Sequence, residues 1–165
     1  MRTEPFRPGE ILERLVEAKV RFIIVGGLAV GTWGYVRGTK DLDIVPDPDE
    51  ENLERLAAAL VAMGGRVKVR EGLLTAEAIR TFLLVGDKTL VVTKLGEVDV
   101  LQGLPQVPRF ADLAEGATEV ELEGVTVLVC SLPALLAMKR AADRPLDRVD
   151  IEALQAAHLD ESDET

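Results

Sequence analysis

The stretch Asp41-Leu42-Asp43-Ile44-Val45 decides how this chain is interpreted, and it follows the glycine pair Gly26-Gly27 by fourteen residues. The apolar, β-branched run at 22–25 predicts a buried strand, and residues 40–45 predict a second strand. Side chains alternate along a strand, so Asp41 and Asp43 project from the same face. Two neighbouring carboxylates repel each other unless a cation lies between them. The pair therefore suits Mg²⁺ or Mn²⁺ shared with a substrate phosphate.

The composition bounds the class of protein. The chain has 165 residues, 47% of them apolar and 29% charged, as is typical of one globular domain with a proper core. No apolar run is long enough to cross a bilayer, and the first residues do not resemble a signal peptide. The single cysteine, Cys130, excludes an internal disulfide and is expected to be a core thiol rather than a nucleophile. We therefore expect a cytoplasmic protein without a membrane partner.

The net charge of −10 disfavours binding of nucleic acids through a broad basic face. Part of this charge lies in the terminal segment 159–165, which lacks apolar periodicity and is predicted to be disordered. One specific RNA or a nucleotide remains compatible with the rest of the chain.

Helix and strand signals alternate along the chain and predict an α/β (α+β) fold. We expect a mixed, mostly antiparallel sheet flanked by helices on one face, in a core at 1–130, followed by a C-terminal helical pair at 131–158. Three helices are predicted: one at 28–35, one at 52–63 that Asp49 caps, and one that Ser131 caps and Pro145 ends. The predicted strands include one at 83–85 that the loop 86–88 joins to a strand at 89–92. A further hairpin is predicted at 120–129.

A third carboxylate, Asp99, lies in a predicted short strand at 97–101. That strand follows the tight break at Leu95-Gly96, so Asp99 could lie beside Asp41 and Asp43. Three converging carboxylates are the usual ligands of two metal ions about 4 Å apart at a phosphoryl-transfer centre. Glu97 shares the face of Asp99 but lies nearer the turn, and we leave it out of the predicted ligand set.

The order of these segments resembles the DNA-polymerase-β-type nucleotidyltransferase superfamily: Gly-Gly, a helix, then residues 37–44, then residues 97–101. Residues 136–151 also resemble a helical motif of the minimal nucleotidyltransferases found in abortive-infection and toxin–antitoxin systems. In that motif a lysine, an arginine and a later Asp-x-x-Asp-Ile recur. The resemblance covers roughly residues 20–154.

This resemblance implies Mg²⁺-dependent transfer of a nucleoside monophosphate from a nucleoside triphosphate, such as ATP, to an acceptor hydroxyl. The acceptor could be RNA, a protein or a small molecule, and pyrophosphate would be released. A homodimer or a partner protein would help to build the acceptor site, because the chain is too short for a separate recognition domain.

The resemblance also implies roles for individual residues. Asp41 and Asp43 would hold two Mg²⁺ ions, and Asp99 would complete the metal site and help to activate the acceptor hydroxyl. Gly26 and Gly27 would cradle the triphosphate together with the amides that open the next helix.

Three more positions are candidates for nucleotide contact. Lys139 resembles the lysine that reaches nucleotide phosphate from the C-terminal helix. Arg37 could contact substrate, or pair with one of the carboxylates and position the loop. Relatives often carry a hydroxyl side chain next to the glycines, where this chain has Leu28. Thr39 or Thr32 could supply that hydroxyl instead.

Simpler interpretations stay open for several of these residues. An Asp-x-Asp pair is often only a solvated strand end, and Lys139 could be an ordinary exposed helix lysine. Trp33 is expected to anchor the core rather than stack on a base. Four charged residues could form a surface ion-pair ladder of little energetic value, although Asp150 could also neighbour the active site. These four residues are Arg144, Asp147, Arg148 and Asp150.

Two other functions remain as alternatives. A nucleotide-binding or regulatory partner without turnover is supported only by Leu28, which offers no hydroxyl to a phosphate. A metal-dependent phosphohydrolase would normally need further His or Asn ligands, and the chain has a single histidine, His158.

Overall fold

A single eight-stranded sheet organises the chain in the computed structural model, which describes residues 5–162 and their side chains through residue 159. The strands are β1 (Phe22–Val25), β2 (Asp41–Pro46), β3 (Arg66–Val69), β4 (Gly72–Leu73), β5 (Thr89–Thr93), β6 (Gly96–Val100), β7 (Thr118–Leu122) and β8 (Val125–Val129). The helices are α1 (Pro8–Glu17), α2 (Gly26–Thr32), α3 (Glu50–Ala62), α4 (Glu77–Val85), α5 (Phe110–Ala114), α6 (Leu132–Ala142) and α7 (Pro145–Ser162).

The strand order is β4-β3-β5-β6-β2-β1-β8-β7. Within residues 5–162, five of the seven strand pairings are antiparallel, and β2–β6 and β1–β8 are parallel. The mixed, mostly antiparallel sheet with flanking helices and a C-terminal helix pair is therefore confirmed.

The two central strands explain why one face of the sheet is apolar and the other acidic. Leu42 and Ile44 of β2 are fully buried, as are Val98 and Val100 of β6. Because side chains alternate along a strand, the residues between them project to the opposite face. The core thus fixes the orientation of the carboxylates on β2 and β6.

Several predicted elements are confirmed, because short-range chemistry defines them. The α3 helix begins after Asp49, whose carboxylate accepts a hydrogen bond from the backbone N–H of Asn52 at 3.4 Å. The α6 helix begins after Ser131, whose hydroxyl accepts from the N–H of Ala134 at 3.2 Å. The β7–β8 hairpin forms as expected, and the tight break at Leu95-Gly96 is the turn that joins β5 to β6.

The predicted strand at 83–85 is wrong, because these residues form the last turn of α4. Ile79 and Leu83 lie four residues apart on one buried helix face, and Gly86 ends the helix with φ +87°. Three apolar residues in a row did not distinguish this helix end from a strand. The α2 helix is also displaced from its prediction, since it begins at Gly26 and ends at Thr32.

The last helix extends beyond the predicted boundary at residue 158 and continues to Ser162. The end of the predicted acidic tail, residues 163–165, lies outside the described residues. Among residues 5–162, no helix combines the length and apolar character needed to cross a membrane.

Candidate metal and nucleotide site

The parallel register of β2 and β6 brings four carboxylates together. Asp41 pairs with Glu97 and Asp43 pairs with Asp99, so each acid of one strand lies directly beside an acid of the other. The prediction that Asp99 lies beside the Asp-x-Asp strand is confirmed. One carboxylate oxygen from each of Asp41, Glu97 and Asp99 lies within 4.8 Å of the other two.

Glu97, which was left out of the predicted ligand set, lies opposite Asp41 in the register and belongs to the carboxylate cluster. Its Oε1 atom also lies 3.4 Å from Nζ of Lys68. Glu97 is therefore already paired with a cation, whereas Asp99 Oδ1 is buried without a hydrogen-bond partner among the described residues. A buried oxygen of this kind is costly unless a cation or a proton satisfies it.

The electrostatics of the Asp43–Asp99 pair also favour a cation at this site. Burial, followed by the charge of Asp41, raises the pKa of Asp43 to about 6. Burial, followed by the charge of Asp43, raises the pKa of Asp99 to about 8. Without a cation, the pair therefore holds a proton on Asp99 at neutral pH. A divalent ion bound to these oxygens would take the place of that proton, so the donor set fits such an ion.

The glycine pair lies directly against the acidic face. Gly26 has φ +72°, and a Cβ placed there would overlap the Asp43 carboxylate. A Cβ on Gly27 would lie 2.7 Å from the hydroxyl of Thr39 and 3.5 Å from Nη1 of Arg37. Both glycines are thus needed for close packing, and two hydrogen-bonding side chains lie over the second one.

Thr39, rather than Thr32, is the hydroxyl that lies near the glycines. The Thr32 hydroxyl donates to the carbonyl of Leu28 at 3.1 Å, inside the first turns of α2. The Thr39 hydroxyl donates to the carbonyl of Asp41 at 3.3 Å and lines the cleft above the carboxylates.

A buried ion network links the C-terminal helices to the loop before β2. Asp150 is fully buried and accepts hydrogen bonds from Nε and Nη2 of Arg37 at 2.8 and 2.9 Å. Lys139 Nζ lies 3.0 Å from Asp150 and 3.1 Å from Asp147. Asp147, also fully buried, accepts from Arg144 Nε at 2.7 Å.

The charges in this network stabilise each other. Burial opposes ionisation of Asp147, but hydrogen bonds from Arg144 and Lys139 outweigh it and lower its pKa to about 2. Burial likewise opposes ionisation of Asp150, and hydrogen bonds from Arg37 and Lys139 lower its pKa below the usual value. Both carboxylates are therefore charged at neutral pH and hold their cations in fixed positions.

The predicted surface ladder is wrong about exposure, because Asp147 and Asp150 are fully buried. Asp147 does pair with Arg144, three residues earlier, but Asp150 pairs with Arg37 and Lys139. Arg148 pairs with the exposed carboxylate of Asp143, which was not part of the predicted ladder. The alternative of an exposed Lys139 is also wrong, since only 6% of that residue is accessible. The sequence signal was the spacing of the two aspartates, which puts both on one face of α7.

A cleft of about 580 Å³ opens over the acidic face. It brings together all eight residues that the sequence singled out for metal or nucleotide contact: Gly26, Gly27, Arg37, Thr39, Asp41, Asp43, Asp99 and Lys139. Sequence reasoning missed Lys40, Lys88 and Arg144, three cations that also line the cleft. Lys40 directly precedes Asp41, whereas the positions of Lys88 and Arg144 depend on how distant segments meet.

Two other residues have the structural roles predicted for them. Trp33 donates from its indole N–H to the carbonyl of Cys130 at 2.9 Å, and it anchors α2 outside the cleft. Cys130 is a fully buried free thiol, and burial raises its pKa to about 12. A thiol with that pKa is not a nucleophile at neutral pH.

No protein-family model and no curated protein matches this chain. Among solved structures, it is similar to the lincosamide antibiotic adenylyltransferase LnuA in its lincomycin-bound form, with a TM-score of 0.65 and 16% identity over 94% of this chain and 99% of the other. It is also similar to the antibiotic-resistance factor ANT(2'')-Ia, with a TM-score of 0.57 and 18% identity over 94% and 85% of the two chains.

A third similar structure is an antigenic nucleotidyltransferase-like protein from Paracoccidioides brasiliensis, with a TM-score of 0.53 and 17% identity over 91% and 77% of the two chains. All three likenesses extend over nearly the whole of the present chain. This chain therefore has the nucleotidyltransferase fold.

Proposed function

We propose that the protein is a divalent-metal-dependent nucleotidyltransferase. It transfers a nucleoside monophosphate from a nucleoside triphosphate to an acceptor hydroxyl and releases pyrophosphate. The observation that carries this proposal is the register of β2 and β6, which sets Asp43 beside Asp99 at the base of a cleft. The nucleotidyltransferase fold of its structural neighbours supports the same reaction class.

Asp41, Asp43 and Asp99 would hold Mg²⁺ or Mn²⁺. When bound, the metal would supply charge stabilisation and Lewis-acid polarisation of the phosphoryl oxygens. The unpartnered buried Oδ1 atom of Asp99 and the proton-holding Asp43–Asp99 pair support this ligand set.

The chain's own groups would orient the triphosphate and move one proton. Gly26 and Gly27 line the cleft and would offer backbone N–H groups to phosphate oxygens, with the Arg37 guanidinium as a side-chain donor near Gly27. The Thr39 hydroxyl would turn from the carbonyl of Asp41 to donate to a phosphate. Asp99 would accept the proton of the acceptor hydroxyl. The hydroxyl oxygen forms a bond to the α-phosphorus, and the bond from that phosphorus to the β-phosphate oxygen breaks. The Thr39 hydroxyl also weakens the alternative of a regulatory partner without turnover.

We infer that the acceptor is a small molecule. LnuA is lincomycin-bound in its structure, and ANT(2'')-Ia was solved with adenylyl-2''-tobramycin. A cleft of about 580 Å³ suits an acceptor of that size, and the net charge of −10 disfavours RNA. A toxin–antitoxin role, as in the branch that the sequence resembles, would instead require an RNA or protein acceptor. The buried free thiol of Cys130 supports a reducing, cytoplasmic setting.

The test is label transfer from each α-labelled nucleoside triphosphate, with Mg²⁺ or Mn²⁺, to separated metabolite, RNA and protein fractions. We expect the parent protein to label metabolites. Asp99→Ala should lower transfer by on the order of a hundredfold. Asp112→Asn, on the exposed surface of α5, is the matched control and should retain full transfer. Label in RNA or protein alone would contradict a small-molecule acceptor, and no label in any fraction would contradict the proposed reaction.

A further inference from the structure

We propose that the acceptor taken by this cleft is an apolar hydroxyl compound without net positive charge. This inference rests on the proposed function and adds the chemical class of the acceptor. It follows from a group of apolar side chains that line part of the cleft, here called the apolar wall. The group is interrupted in the loop by Gln106 and consists of Leu101, Leu104, Val107, Leu135 and Met138.

The apolar wall begins next to the carboxylate that would receive the acceptor proton. Leu101 follows Asp99 by two residues at the end of β6, and its N–H donates to the carbonyl of Ile44 at 2.8 Å. Leu104 and Val107 continue the wall in the loop that follows. The acceptor hydroxyl has to approach Asp99, so the rest of the acceptor would lie against this loop.

The α6 helix contributes the rest of the apolar wall. Leu135 and Met138 line the cleft one turn apart on the helix, and Met138 comes directly before the buried Lys139. Unbranched Met side chains adapt to apolar ligands of different shapes. Between this helix and the loop carrying Leu104, an acceptor would therefore meet mainly aliphatic surface.

The charges on the cleft would oppose a cationic acceptor. Within the described residues, four acids line the cleft, and under the proposed function three of them bind metal. The fourth, Asp147, is already paired with Lys139 and Arg144. Lys88, also on the cleft, precedes the β5 residue Thr89, which pairs with Val100 at the end of β6. The part of the cleft near the loop that carries Leu104 and Val107 therefore offers the cation Lys88 and no unpaired carboxylate.

The test uses the full-length protein with Mn²⁺ and ATP and the fluorescent probe anilinonaphthalene sulfonate, an apolar anion. We expect Leu104→Asp to weaken probe binding by on the order of tenfold, because the probe would then face an unpaired carboxylate. Leu73→Asp, at a partly exposed residue of β4, should leave probe affinity within about twofold. Kanamycin, a polycationic aminosugar, should not displace the probe from the parent protein.

The proposal is overturned if Leu104→Asp binds the probe as tightly as the parent, or if kanamycin displaces the probe. Failure of the proposed function would be seen separately. In that case Mn²⁺ with ATP would not raise the melting temperature of the parent protein, measured before the probe is added.

Discussion

Arg37 and Asp150 are 113 residues apart in the chain and form a two-point ion pair, with hydrogen bonds of 2.8 and 2.9 Å. The same carboxylate lies 3.0 Å from Lys139 Nζ. One fully buried aspartate therefore connects the loop before β2, the α6 helix and the α7 helix. Because the loop and α6 both line the cleft, this connection sets the positions of two cations that face the site.

Asp150→Ala should lower the free energy of unfolding by about 3–5 kcal/mol, because it leaves Arg37 without its carboxylate partner and Lys139 with Asp147 alone. Glu54→Ala, which removes an exposed ion pair with Arg80, should cost far less. Urea denaturation of both variants measures the difference. Similar losses would mean that the buried network does not hold the C-terminal helices in place.

Lys139→Ala should weaken binding of Mn²⁺–ATP by roughly 1.5–3 kcal/mol, the range for a hydrogen bond to a charged group. Arg140 is exposed on the next position of α6, so Arg140→Ala should matter much less. Calorimetric titration under conditions where both variants are folded gives the comparison. Equal losses would indicate diffuse electrostatics, and no loss at Lys139 would remove it from the nucleotide site.

Gly26→Ala should destabilise the fold and abolish Mn²⁺ binding, because the new methyl group would displace the Asp43 carboxylate. Gly124→Ala is the matched control. That residue has φ +80° against +72° at Gly26, but its Cβ would meet no atom within 4 Å. The control should lose only about 1–2 kcal/mol of the free energy of unfolding, the cost of a non-glycine residue at positive φ, and it should keep its metal affinity. If Gly26→Ala binds Mn²⁺ like the control, the packing of Asp43 against the glycine is irrelevant to the site.

In the absence of metal, the acidic pair should make stability fall as pH rises. The pKa values of Asp43 and Asp99 are raised in the folded state to about 6 and about 8, against about 3.9 for an unfolded aspartate. Their stabilising contribution to the free energy of unfolding is fully present below about pH 4. It is lost as the pH rises through the folded-state pKa values. Urea denaturation in chelator at about pH 5 and about pH 8.5 should show this fall, and Asp99→Asn should reduce it. A fall of equal size in the variant would remove the pair as its cause.

Much of this arrangement was predictable, because it depends on neighbours in the chain. Alternation along β2 puts Asp41 and Asp43 on one face, and buried Leu42 between them fixes which face. The tight break at Leu95-Gly96 predicts a turn between β5 and β6, and this turn places Asp99 in the sheet. Caps and turns define these elements locally, so the sequence alone was sufficient for them.

The remainder depends on contacts that no local pattern encodes. The place of Glu97 in the carboxylate cluster follows from the parallel register of β2 and β6, and a shift of one residue would have sent it elsewhere. The buried ion pair of Asp150 depends on Arg37, which lies more than a hundred residues earlier. Charged residues at helical spacing give the same sequence pattern whether that face of the helix is exposed to solvent or packs against a cation from a distant segment of the chain.

The most direct test of the metal site is calorimetric titration of Mn²⁺ and ATP into the parent protein, Asp43→Asn and Asp112→Asn. We expect the parent and the exposed control Asp112→Asn to bind with the same affinity. Asp43→Asn should give no measurable binding while staying folded, because it removes a metal ligand and also relieves carboxylate repulsion. If Asp43→Asn binds Mn²⁺–ATP as well as the parent does, the acidic strands are not the metal centre and the proposed transfer reaction loses its basis.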